Sequence, residues 1–134
     1  MSAGQRATLL REVFLVLEHK DFAALFSPGS RAEVPIVGTL AGRSVVGQVD
    51  RLAVTQDSVL IADFKTNRNP PRRIEEVQDS YMKQLAAYRA VLINLYPDRP
   101  VRAALIWTEV PDLMELSADI LDRALAIHVA ARMP

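Results

Sequence analysis

The chain has 134 residues, half of them hydrophobic and 24% charged, enough for one domain with its own core. Its 16 basic and 16 acidic residues cancel, which counts against a free-standing, strongly basic nucleic-acid binder but leaves room for a local basic rim. There is no cysteine, so disulfides, thiolate metal sites and a cysteine nucleophile are excluded.

No apolar run reaches the roughly 18 residues that span a bilayer. The opening Met1-Ser-Ala-Gly-Gln-Arg6 lacks the charged-then-apolar order of a secretory signal. A cytoplasmic protein without a membrane partner is expected. Residues 5–26 read as a helix, because Leu9, Leu10, Val13, Phe14, Val16 and Leu17 recur at helical spacing. Ser27-Pro-Gly-Ser30 ends it. Residues 32–40 form a strand in which Pro35 marks an edge position or an irregularity. Residues 44–55 form a second strand, where Gly47 marks a bulge or a close backbone approach. Residues 59–64 form a third, apolar enough to be central.

A polar loop with Pro70-Pro71 leads to a helix over residues 74–96, striped by Val77, Tyr81, Leu85, Tyr88 and Leu92 and ended by Pro97. Residues 99–108 give a fourth strand and residues 113–116 a short fifth. Ser117 caps a last helix to residue 131. The order α-β-β-β-α-β-(β)-α describes an α/β fold, a mixed sheet flanked by helices. No repeat, low-complexity tract or second domain interrupts it.

Two carboxylates interrupt apolar strands. Asp50 divides Val45-Val46 from Leu52-Ala53-Val54, and Asp63 follows Val59-Leu-Ile-Ala62. In a strand, residues two apart share a face, so Asp63 and Lys65 project together, and an antiparallel hairpin brings Asp50 across to them. A lone Asp-x-Lys is usually a surface ion pair. A carboxylate at the end of a buried strand instead needs compensation, which a hard cation such as Mg²⁺ provides, with Mn²⁺ as a second candidate. A lysine beside that cation stabilises developing negative charge, a combination suited to cleaving a phosphodiester.

Gln84 and Tyr88 lie four apart on one helix face, with Tyr81 on the same side as a base-stacking candidate; the plainer reading puts Tyr88 in the core. Arg68, Arg72 and Arg73 follow Lys65 and Thr66, and Lys83 lies on the helix, close enough for phosphate contact or simply solvated. His19, Glu18 and Glu33 are weaker candidates for a third metal ligand. Trp107 reads as core and His128 as exposed.

Gly47-Gln-Val-Asp50-Arg-Leu, Asp63-Phe-Lys65-Thr and Gln84-Leu-Ala-Ala-Tyr88 resemble successive motifs of the PD-(D/E)XK nuclease superfamily, nearest its RecB-like branch. Ala32-Glu-Val-Pro35, Tyr96-Pro97 and Leu105-Ile-Trp-Thr108 resemble the C-terminal nuclease domain of AddA-type helicase–nucleases, which process double-strand DNA ends. The resemblance runs from about Phe22 to Leu125 and implies a restriction-endonuclease-like fold.

It implies that Asp50, Asp63 and the Phe64 carbonyl bind the metal and that Lys65 is catalytic. Gln84, Tyr88, Tyr81, Thr66 and Arg68 then serve DNA, and cleavage leaves a 3′ hydroxyl and a 5′ phosphate. The superfamily's proline is replaced by Val49, and its upstream helix ligand has no clear counterpart here. Residues 1–134 are therefore expected to be one nuclease-type exonuclease domain within a longer polypeptide, alongside helicase domains and a partner subunit in break repair and recombination. The alternative is a catalytically incomplete module that guides DNA or docks a partner; a junction resolvase is disfavoured by the neutral charge.

Overall fold

In the computed structural model, residues 2–66, 69–109 and 111–132 are described, with side chains through residue 127. Five strands form one sheet in the order β1-β2-β3-β4-β5: Arg31–Leu40, Arg43–Val54, Val59–Lys65, Val101–Trp107 and Asp112–Leu116. Neighbours are antiparallel except β3 and β4, which run parallel. A parallel pair needs a crossover, and helix α2, Asp79–Leu95, supplies it. The expected mixed sheet with flanking helices is the architecture observed.

The sheet separates two cores. One face of β1 to β5 packs Val49, Leu52, Val59, Ile61 and Leu105 against Leu85, Tyr88 and Leu92 of α2 and Leu121 of helix α3, Ala118–Arg132. The other face packs Leu60, Ala62, Ala104 and Ile106 against Leu15, Phe22 and Leu25. Strands β3 and β4 are buried on both sides, which explains their unbroken apolar runs. Pro35 lies on β1, an edge strand, as its missing N–H requires.

Two helices depart from the sequence reading. The continuous helix expected over residues 5–26 is instead α1, Ala3–Glu18, followed by a 3₁₀ helix, Lys20–Phe26. The break at His19 changes the spacing, so that Phe22 and Leu25, three apart, both reach the core. The second helix likewise opens as a 3₁₀ turn, Ile74–Glu76, before α2 begins at Asp79. Ser2 and Gln5 close the start of α1 with a reciprocal capping box, at 3.1 and 2.8 Å.

The apolar stripe expected to bury α1 faces solvent. Leu10 and Leu17 are 70% and 67% exposed, and Leu9, Val13 and Phe14 are also exposed. Leu15 alone is buried, and the face it shares carries Arg11 and Glu12, both half-buried. Arg11 Nη1 donates to the Thr108 carbonyl at 3.2 Å, and Glu12 Oε1 accepts from Arg51 Nη2 at 3.3 Å. These ties turn the polar side of the helix toward the sheet. Helical spacing identifies an apolar side, but not what covers it.

Candidate active site

The β2–β3 ladder runs from Val54–Val59 to Arg51–Ala62. The next residues in that register are Asp50 and Asp63. There side chains take over from the ladder: Asp50 N–H donates to Asp63 Oδ1 at 3.1 Å, and Phe64 N–H donates to Asp50 Oδ2 at 2.8 Å. Each carboxylate thus satisfies a backbone donor of the opposite strand. The reciprocal pair fixes both acids where the strands part and leaves Asp50 Oδ1 and Asp63 Oδ2 without a protein donor in these two bonds.

Strand alternation places Lys65 on the same face as Asp63, toward α2. Its Nζ lies 3.8 Å from Asp63 Oδ2, donates to Gln84 Oε1 at 3.2 Å, and stands 4.4 Å above the Tyr81 ring. Gln84 Nε2 donates to the Tyr88 hydroxyl at 3.3 Å, and that hydroxyl also accepts from Gln48 N–H at 3.3 Å. An unbroken relay therefore joins β2 to the lysine through α2. Asp50, Asp63, Lys65, Gln84, Tyr88 and Tyr81 are brought together.

The relay depends on Gly47. A Cβ there would overlap the Tyr88 hydroxyl and press on its ring carbons at 2.6 and 2.7 Å. The aromatic ring therefore lies directly on the β2 backbone. Tyr88 is only 6% exposed, so its hydroxyl holds the arrangement from within the core. Tyr88→Phe removes the acceptor for Gln48 N–H and the partner of Gln84. A loss of about 1 kcal/mol in denaturant-derived stability is expected.

Asp63 is the one buried charged residue among those described. Burial pushes its carboxyl above the ordinary range, opposed by the Asp50 N–H; the neighbouring Asp50 charge raises it further and Lys65 lowers it. A buried carboxylate held in this way gains from a nearby cation. Two hard carboxylates suit Mg²⁺, which commonly takes one or two acids and fills its remaining positions with water and phosphate. Among the described residues no group of three or more His, Cys, Asp or Glu forms a metal cluster.

The other expected residues stand further out. Thr66 Oγ1 is 2.8 Å from Thr108 Oγ1, exposed just beyond the end of β3. Arg73 pairs with Glu76 on the surface. Glu18 and His19 line a separate depression with Asn69–Arg72, away from the carboxylate pair. Arg68 and the side chain of His128 lie outside the described residues.

A cavity of about 460 Å³ opens on the α1 side of the pair, lined by Asp50, Phe64, Arg51, Glu12, Arg11 and Glu33 among others. Glu12, Arg11 and the Phe64 side chain escaped the sequence reading. Their signal was slight: a polar stripe on an otherwise apolar helix, and an aromatic between two polar strand residues.

The sequence model of the PD-(D/E)XK nuclease superfamily matches residues 2–125. The chain belongs to that superfamily. Its members are generally nucleases, and the mixed five-stranded sheet agrees with their restriction-endonuclease-like fold. Membership supports a nuclease-like, DNA-binding domain and a divalent metal as the usual cofactor of such proteins. A solved structure named "Crystal structure of SSO0001" is similar at 14% identity, over 92% of this chain and 71% of that one, with a TM-score of 0.42. No curated protein matches the chain. Among the described residues no helix is long and apolar enough to cross a membrane.

Proposed function

We propose that this PD-(D/E)XK domain is a metal-dependent deoxyribonuclease of the RecB-like branch, the nuclease part of an AddA-type helicase–nuclease acting in double-strand break repair. One observation carries the reading. Asp50 and Asp63 are locked together across β2 and β3, with the Lys65 amine 3.8 Å from Asp63 Oδ2. Asp50 and Asp63 would hold Mg²⁺ or Mn²⁺, with the Phe64 carbonyl as a further ligand. When bound, the cation supplies Lewis-acid charge neutralisation and a more acidic water.

The chain's own residues do the rest. Lys65 presents an amine to the water and to the charge that develops on the phosphoryl oxygens. Gln84 and Tyr88 hold that amine in place, which limits the reorganisation needed at the moment of reaction. Hydrolysis leaves a 3′ hydroxyl and a 5′ phosphate. The helicase-associated reading is supported by the solvent-facing apolar side of α1, where Leu10, Phe14 and Leu17 offer a surface for a neighbouring helicase domain or a partner subunit.

A second reading, a nuclease-like module without catalysis, is favoured by the lack of a three-ligand cluster among the described residues. Titration calorimetry separates the two. Mn²⁺ is expected to bind at millimolar concentration or below, with the heat lost in Asp50→Ala. An absence of heat in the unaltered protein favours the module.

A further inference from the structure

We infer that the cavity between α1 and the end of β3 receives one nucleobase of the DNA strand being cut, with Phe64 as its stacking platform. This rests on the nuclease reading and goes beyond it by assigning a subsite. Asp50 forms one wall, so an occupant lies directly beside the carboxylate pair. Phe64 stands between Asp63 and Lys65 in sequence, but alternation turns its ring to the opposite face of the sheet, toward the cavity. The ring is 39% exposed, although its backbone is fixed through Asp50 Oδ2. A held backbone beneath an uncovered ring makes a rigid stacking surface.

Size and charge select the occupant. About 460 Å³ suits a nucleoside and is far too small for a duplex. The charged lining is two arginines, Arg11 and Arg51, against three carboxylates, Glu12, Glu33 and Asp50. Both arginines are already engaged, by the Thr108 carbonyl and by Glu12. Such a wall offers an anion no free cationic side chain and tolerates a neutral, flat, partly polar group. Leu15, Ile106 and Trp107 add apolar surface, and Thr8 and Thr108 add hydroxyls for the base edge. The base entering must leave its stack, so the nucleotide beside the cut is unpaired when bound.

The probe is a single-stranded oligonucleotide carrying 2-aminopurine at successive positions, bound with Ca²⁺ in place of Mg²⁺. The expected result is raised emission at one position, where the base leaves the neighbours that quench it. Phe64→Ala abolishes that rise and weakens binding roughly tenfold, the size of one base–aromatic stack. Phe64→Trp restores the affinity, which a merely structural role for the ring would not explain. Thermal melting confirms that the variants fold. If the unaltered protein cleaves DNA but shows no position-specific rise, the base subsite is refuted and the nuclease reading stands. If Phe64→Ala keeps the rise and the affinity, the subsite is refuted as well. If the unaltered protein neither binds nor cleaves DNA, both readings fall together.

Discussion

Asp63→Asn is expected to lose cleavage by 10²-fold or more while melting at a higher temperature than the unaltered protein. The two effects have one source. Asp63 is 3% exposed, and burial is the largest influence on its carboxyl, disfavouring the ionised form. Asparagine removes that charge yet keeps an oxygen to accept the Asp50 N–H, which Asp63 Oδ1 now accepts at 3.1 Å. Lys65 keeps its bond to Gln84 and its place over Tyr81. The fold is relieved, and under the proposed function the cation loses a ligand. Active sites commonly carry such destabilising groups.

The pH dependence follows from the direction of the same shift. A carboxyl raised in the folded state favours folding below the unfolded pKa, and that contribution is lost as pH rises through the folded value. The stability gap between Asp63→Asn and the unaltered protein should therefore be smallest in acid and widen as pH rises through the raised range. Under the proposed function protons compete with the cation for Asp63, so metal affinity should begin to fall at a higher pH than for an ordinary carboxylate. Denaturant melts and metal titrations across the acid range check both. A gap that narrows as pH rises would contradict the assignment.

Gly47→Ala is the second large effect. The added methyl would meet the Tyr88 hydroxyl and two of its ring carbons, and Tyr88 is packed in the core with little space to retreat. Overpacking of this kind costs about 1–3 kcal/mol. Displacing Tyr88 also releases Gln84, and with it the lysine amine. A lower midpoint in denaturant and a fall in kcat larger than any change in KM are therefore expected. The double variant Gly47→Ala, Tyr88→Phe tests the coupling: removing the hydroxyl should relieve part of the clash, so the two losses should not add.

The central hairpin was legible because period-two alternation leaves few choices. Once residues 59–64 are a buried strand, Asp63 and Lys65 must share a face, and the hairpin brings Asp50 opposite. Gly47 was legible as a close approach, but not what approached it: Tyr88 lies 40 residues away in the pairing that its hydroxyl makes with Gln48. The orientation of α1 was not legible. Leu9, Leu10, Val13, Phe14, Val16 and Leu17 look like a core stripe, whereas Arg11 and Glu12, tied to Thr108 and Arg51 by tertiary contacts, turn the other side to the sheet. The ring of Phe64 was not legible for a related reason: alternation puts it on the far side of the sheet from Asp63 and Lys65, and no sequence pattern says what surrounds it there.

The extended end of the β2–β3 ladder also could not be read directly. Register alone predicts that Asp50 and Asp63 continue the ladder as ordinary partners. Instead their side chains replace backbone acceptors, at 3.1 and 2.8 Å, and this holds the two acids together without a cation. The carboxylate pair is therefore held in place by the strands themselves. Preorganisation of this kind is what electrostatic stabilisation of a developing charge requires.

The most direct measurement is cleavage of end-labelled DNA by the unaltered protein and by Lys65→Ala, with Mg²⁺ and with chelator. The account predicts magnesium-dependent cutting that falls by 10²-fold or more in the variant, which still unfolds cooperatively in a thermal melt. Equal cutting by the two proteins, or cutting that persists in chelator, would contradict it.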